Sequence, residues 1–305
     1  DRVLAEDLIA PRPLPAFSQS AMDGYAVRVS SLQGDGPWTL RVQGESRAGG
    51  AGPPLGHGGA CRVFTGAPIP PGANSVIKQE DVSRSEGQIV VSRRPQEGEN
   101  VRPAGADMQQ GVVAIESGTR LSPAGVGLVA GLDRAHVLVA RRPTVSILST
   151  GDELRSPGVA GSEITIPESN SFVVAAAARR VGAIARIMPA LADDAEQTEV
   201  AIRRGLRGTD LLVTIGGASV GDHDLVRPAM VAAGVSIDFW GVALKPGKPV
   251  AVGSHGPTRV LCLPGNPASA TLTFLLFGVP MLRAMQGERR LRPRRTPMRI
   301  IGSHA

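Results

Sequence analysis

Apolar and polar positions follow two different rhythms along this chain, and the change falls near Arg142-Pro143. Beyond it, short and nearly continuous apolar runs recur at Thr144 to Leu148, Ala183 to Met188, Leu211 to Ile215, Val235 to Phe239, Pro249 to Val252 and Val260 to Leu263. Their length and β-branched content suit strands buried on both faces. Amphipathic or apolar segments of helical length lie between them, at Asn170 to Val181, Asp193 to Leu206, Asp222 to Ala233 and Pro267 to Met285. A βαβα order of this kind predicts a doubly wound, mostly parallel sheet. Before Arg142, from about Val27 to Gly111, runs such as Trp38 to Val42, Arg62 to Phe64 and Ile89 to Val91 alternate with Gly- and Pro-rich turns. That rhythm predicts a β-rich domain, so the chain is multidomain, α/β plus β-rich.

A doubly wound sheet binds its ligand beyond the carboxyl ends of its strands. Four loops should therefore share one edge: Ser149-Thr150-Gly151-Asp152-Glu153, Ala192-Asp193-Asp194, the glycine loop Gly216 to Asp224, and Pro264-Gly265-Asn266-Pro267. The turn Leu244-Lys245-Pro246-Gly247-Lys248-Pro249 adds two ammonium groups on a backbone fixed by Pro and Gly. Anion-holding turns and carboxylates in one site repel unless a divalent cation lies between them, which predicts a Mg²⁺-assisted enzyme acting on phosphate or a related oxyanion. Each piece also has a plainer explanation. Gly216-Gly217 serves equally as a tight turn, and Asp222 stands where a Walker loop needs lysine, which argues against an ATPase. Asp152, Glu153 and Asp193-Asp194 can cap helices, and Asn266-Pro267 is a natural N-cap and N1 pair. Lysines 245 and 248 would ordinarily be solvated surface charges.

Composition narrows the partners. The chain has 305 residues, 42% hydrophobic, with a formal net charge of +6 and only 3% aromatic residues. Its arginines are dispersed apart from Arg289, Arg290, Arg292, Arg294 and Arg295, and no stacking residues interleave with them. A small anionic substrate accounts for the charge better than nucleic acid. The longest apolar stretch, Leu272 to Met285, is interrupted by Gly278 and Pro280 and reads as too short for a bilayer, and no secretory signal opens the chain. The expectation is a cytoplasmic protein with no membrane partner. Cys61 and Cys262 lack metal-ligand spacing, and Cys262 reads as a core thiol.

The first half adds Ser20 to Ala26, Phe64 to Ala73 and Val101 to Asp107. Turn chemistry explains their Gly and Pro, but not the choice of Asp23, Thr65 and Asp107. Together with Glu80-Asp81-Val82, Ser149 to Leu154, Gly216 to Asp224, Lys245 to Pro249 and Leu263 to Ser269, these segments resemble, in order, the signature blocks of the MoeA-type molybdopterin molybdenumtransferases. These are molybdenum insertases related to the E domain of gephyrin. The resemblance implies that adenylylated molybdopterin and molybdate give molybdenum cofactor and AMP, with Mg²⁺. It implies a molybdopterin-binding α/β domain over 142–288, an inserted β-rich domain over 27–104, a discontinuous linking region made of 1–26 and 105–141, and the start of a truncated C-terminal β domain at 289–305. Gly216, Gly217, Ser219, Gly221, Pro264, Gly265, Asn266, Pro267 and Ser269 would hold the pterin phosphate or the pyrophosphate bridge. Lys245 and Lys248 match a lysine pair near molybdate and the phosphoanhydride. Glu153, Asp193 or Asp194, and Asp224 match carboxylates that ligate metal or position substrate, and Asp222 is a further candidate metal ligand. Asp23, Thr65 and Asp107 match positions that reach the site from the other subunit of a homodimer. A molybdopterin adenylyltransferase and molybdoenzyme chaperones are the implied further partners.

Relatives also carry residues ahead of Asp1 and a further small β domain with an arginine and a serine assigned to molybdate, so the molybdate site is expected to be incomplete here. A smaller departure is Ile166-Pro167-Glu168-Ser169-Asn170, where relatives have a Tyr-Asp-Ser-Asn-like run. Pro167 restricts the residue before it and leaves the role of Glu168 open. An adenylyltransferase sharing the doubly wound domain would lack the Asp23 and Thr65 blocks and the lysine turn. A non-catalytic scaffold would be favoured by loss of the site carboxylates, which are present.

Overall fold

A computed structural model describes residues 2–217, 225–292 and 297. The chain divides into two compact units. One is Asp7–Ile115 with Gly127–Ala135, and the other holds the rest.

The first unit is built on a six-stranded sheet of β1 (Gly24–Val27), β2 (Trp38–Ser46), β3 (Gly59–Val63), β4 (Ser75–Lys78), β5 (Val82–Ser85) and β6 (Gln88–Val91), in the order β4-β1-β3-β2-β6-β5. All neighbours are antiparallel except the β2–β3 pair. Alternation along the strands splits the apolar residues into two layers. Tyr25, Val27, Leu40, Ile77, Ile89 and Val91 fill one, and Ala26, Cys61, Val63 and Val76 the other.

In the second unit, β7 (Thr144–Ser149), β8 (Ile184–Ile187), β9 (Leu211–Ile215), β10 (Ser236–Trp240), β11 (Ala251–His255) and β12 (Thr258–Leu263) form a sheet in the order β8-β7-β9-β12-β11-β10. The pairs β7–β8, β7–β9 and β9–β12 are parallel, and an antiparallel β10–β11–β12 ribbon completes one edge. The doubly wound, mostly parallel arrangement expected from the apolar runs is thus present. Helices α1 (Asn170–Arg180), α2 (Ala195–Leu206), α3 (Val226–Ala232) and α4 (Pro267–Met285) cover its faces.

The continuous apolar runs follow from this cover. On β7, β9 and β12, Val145, Ile147, Val213, Ile215, Leu261 and Leu263 meet Val174 and Ala178 of α1 and Phe274 and Leu282 of α4. The alternate residues Leu148, Leu212, Val260 and Cys262 meet Ile202 of α2 and Val226 and Met230 of α3. Cys262 is fully buried, as a core thiol should be.

One sequence expectation is corrected here. The last helix runs from Pro267 to Met285, as the helical-length segment predicts, but Gly278 and Pro280 do not leave it too short for a bilayer: it has 19 residues with a mean hydropathy of 1.4. A π-turn at Phe274–Gly278 shifts the register, so that Pro280 falls in the first turn after it, where a missing N–H costs least. The helix therefore passes a length test for a bilayer, but it is a core helix seated on the sheet through Ala270, Phe274 and Leu282.

Candidate active site

The carboxyl ends of β7, β9 and β12 open into a cleft of about 300 Å³. Ser149, Thr150, Gly151, Glu153 and Leu154 line it after β7, Asp193 beyond β8, Gly216 and Gly217 after β9, and Pro264 and Gly265 after β12. Lys248, Pro249 and Asn170 complete the wall. The four strand-end loops expected on one edge do converge.

Main-chain bonds carry the sheet pattern past the strand ends. The Thr150 amide donates to the Ile215 carbonyl at 3.0 Å, Gly151 to Leu191 at 3.0 Å, and Gly216 to Leu263 at 3.2 Å. The two glycines are sterically required. Gly216 has φ +88° and a Cβ there would lie 2.4 Å from the Thr150 carbonyl oxygen; Gly217 has φ +62° and its Cβ would lie 2.5 Å from a Val226 methyl.

The acidic residues separate by role. Asp194 Oδ1 accepts from the Gln197 amide at 2.7 Å and is the N-cap of α2, whose last turn carries Arg203 and Arg204. Asp193 lines the cleft, with its amide held by the Asp152 carboxylate at 2.9 Å. The loops after β7 and β8 are thereby tied to each other. Glu153 turns its carboxylate over Gly151, where a Cβ would come within 2.5 Å of Oε2. Glu168 is 5% exposed and accepts from the Ser149 hydroxyl at 3.1 Å, the Ser171 amide at 2.8 Å and the Ser171 hydroxyl. It thus clamps the end of β7 to the start of α1. Asn170, which the sequence reading passed over, donates to the Gly265 carbonyl at 2.7 Å and joins the third loop to the same helix. An amide side chain in the first turn after Ser169 was the available signal.

Of the lysine pair, Lys248 lines the cleft; Lys245 is exposed and is not among the described lining residues. The turn between them is tucked against α4, since Gly247, at φ +116°, would place a Cβ 2.5 Å from a Thr273 methyl. Asn266 Oδ1 accepts from the Ala268 and Ser269 amides at 3.1 and 3.3 Å, so Asn266 and Pro267 form the N-cap and first position of α4. Ser269 is buried one turn in. Ser219, Gly221, Asp222 and Asp224 lie outside the described residues.

No cluster of three or more His, Cys, Asp or Glu fit to hold a metal occurs among the described residues. Glu153 and Asp193 nonetheless supply hard oxygen donors to the cleft, the donor type that suits Mg²⁺, an ion that keeps several waters and takes one or two carboxylates with substrate oxygens.

In the other unit, Asp23 Oδ1 accepts from the Thr65 amide at 2.8 Å and the Thr65 hydroxyl at 2.9 Å. Those two bonds, and then the Arg62 charge, hold the Asp23 carboxyl below the usual carboxylate range. Arg62 lies 5.1 Å from the Tyr25 ring and 5.0 Å from the Phe64 ring, and donates to Gln79 Oε1 at 2.6 Å. The structure thus brings Asp23 and Thr65 together. Asp107 is paired instead with Arg102, at 2.6 Å.

Comparison with known proteins agrees with this fold. A family model described as the MoeA N-terminal region (domain I and II) matches residues 1–132, and one described as "Probable molybdopterin binding domain" matches residues 146–284. The chain is 38% identical over 294 residues to the molybdopterin molybdenumtransferase of Haemophilus influenzae, covering 95% of this chain and 71% of that protein. It is 36% identical over 298 residues to molybdopterin molybdenumtransferase 2 of Mycobacterium tuberculosis, covering 93% and 73%. A crystal structure of the molybdopterin biosynthesis MoeA protein from Pyrococcus horikoshii superimposes with a TM-score of 0.80 at 30% identity, over 95% of this chain and 73% of that one.

Proposed function

The chain belongs to the MoeA-type family of molybdopterin molybdenumtransferases, transferases of molybdenum cofactor biosynthesis, and on that premise we propose that it inserts molybdenum from molybdate into adenylylated molybdopterin with release of AMP. The observation that carries this reading is the convergence of Lys248, Glu153, Asp193 and three strand-end turns on one cleft. Gly216, Gly217 and Gly265 leave the main chain open to the phosphate end of the substrate, since no side chain stands between it and their backbone. Lys248 pairs with the phosphoanhydride and stabilises the charge that develops as the P–O bond to AMP breaks. Glu153 and Asp193 would hold Mg²⁺, with Asp222 and Asp224 as further candidates. When bound, Mg²⁺ neutralises the oxyanions that would otherwise repel these carboxylates.

Asp23, kept ionised by Thr65, is read as an acceptor that orients substrate, with Asp107 as a second carboxylate from the same unit. We assign both, with Thr65, to the cleft of a second copy in a homodimer. An adenylyltransferase supplying the substrate and molybdoenzyme chaperones receiving the product are the corresponding transient partners.

The decisive assay incubates the protein with adenylylated molybdopterin and Mg²⁺, with and without molybdate, and measures AMP by chromatography and protein-bound molybdenum by mass spectrometry. Equal amounts of AMP and inserted molybdenum, both requiring molybdate, are expected. AMP release without molybdenum uptake would assign the cleft to a hydrolase.

A further inference from the structure

We propose that the Thr150 hydroxyl is a substrate-binding group, donating a hydrogen bond to an oxygen of the phosphate or phosphoanhydride held in the cleft. This rests on the anion-binding reading of the cleft given above and adds a residue to it.

Thr150 is 4% exposed and lines the cleft, yet its Oγ1 has no hydrogen-bond partner among the described residues. Unpartnered burial of a hydroxyl is unfavourable, and native structures retain it only for a reason. Neighbouring hydroxyls show what satisfaction looks like at this end of the sheet. Ser149 donates to Glu168 at 3.1 Å, and Thr273 to the Ser269 carbonyl at 2.6 Å. Ser31, Ser75, Thr198 and Thr214 also have unpartnered buried hydroxyls, but none of them lines the cleft among the described residues.

Position gives the vacant donor its ligand. Thr150 Oγ1 lies 2.9 Å from where a Cβ of Gly217 would stand and 3.5 Å from that of Gly216. It therefore sits against the glycine turn, on the face where Gly216 and Gly217 carry no side chain, buried but without a partner. The loop itself does not need the hydroxyl, because it is fixed by the Thr150 amide on Ile215 and by the Gly151 amide on Leu191. Valine would fill the same volume without an unsatisfied group. A hydroxyl here becomes favourable once an oxyanion enters, since O–H to anionic oxygen is among the stronger hydrogen bonds. Being neutral, it adds a directional contact where Lys248 adds charge.

The test uses inorganic pyrophosphate with Mg²⁺ as the probe, with affinity measured by calorimetry on the wild type, Thr150→Val, Thr150→Ser and Lys248→Ala. Thr150→Val should weaken binding about tenfold or more, Thr150→Ser should bind within about twofold of wild type, and the melting temperature of Thr150→Val should be unchanged or higher. Wild-type affinity in Thr150→Val, alongside a loss in Lys248→Ala, would overturn the role of Thr150 and leave the cleft as an anion site. A Thr150→Val protein that melts early would show the hydroxyl to be structural and equally overturn the proposal. No pyrophosphate binding by the wild type would remove the anion-site reading itself.

Discussion

Lys248 is exposed, projects from a turn held by its own carbonyl, which accepts from the Val242 and Val250 amides at 2.9 and 3.0 Å, and contributes its ammonium rather than its stem. Replacing it with alanine should therefore leave the melting temperature nearly unchanged while lowering turnover on the order of 10²-fold, the usual loss for one electrostatic stabiliser. Lys245→Ala should cost far less, because Lys245 is not among the cleft-lining residues. AMP release under saturating molybdate reads both, and equal losses in the two variants would contradict the separation. Sequence alone could not divide the pair, since the same Pro and Gly fix both residues; the cleft lining, which takes Lys248 and not Lys245, does. Asp193 and Asp194 were ambiguous for the same reason. Adjacent acids before a helix each fit a cap, and the cap bond from Gln197 decides it.

At the amino end of the sheet, opposite the cleft, one carboxylate joins two strands. Asp210, just ahead of β9, accepts from Arg141 at 2.7 Å through each oxygen and from the Thr144 amide at 2.7 Å, at the start of β7. Its pKa is lowered from 3.8 to about 2, chiefly by Arg141 and then by Thr144 against a burial penalty. A depressed folded pKa stabilises above the unfolded value and ceases to do so as protons bind the folded form. The contribution, on the order of 1 kcal/mol once solvent screening of the exposed Arg141 is allowed for, is therefore complete above about pH 4 and lost between there and about pH 2. Asp210→Asn should lower stability by about 1 kcal/mol at pH 7 and by much less near pH 2, measured by denaturant melts at both values. The elements themselves were legible because buried parallel strands need continuous apolar runs, and each expected run became a strand. The bounds of α4 were legible too, from its apolar length; its π-turn was not, because a single wide turn leaves no periodic trace.

Across the whole chain, the order of short blocks made the family legible, although most blocks are weak signals alone. What stays outside such reading is how Asp23 and Lys248, in different units, would serve one reaction. Mixing an Asp23→Ala chain with a Lys248→Ala chain, each inactive alone, should restore up to about a quarter of wild-type sites, since with random exchange half the dimers are mixed and each has one intact site. No recovery despite demonstrated subunit exchange would place each site within a single chain. The cleft has one further property with a broader consequence. Its floor is main chain, bonded as a continuation of the sheet through Thr150, Gly151 and Gly216. Its contour is therefore inherited with the fold and is largely indifferent to drift in side chains around it. Discrimination among anions of similar shape has to be written in the few groups that stand up from that floor, so a new substrate preference is reachable by very few substitutions.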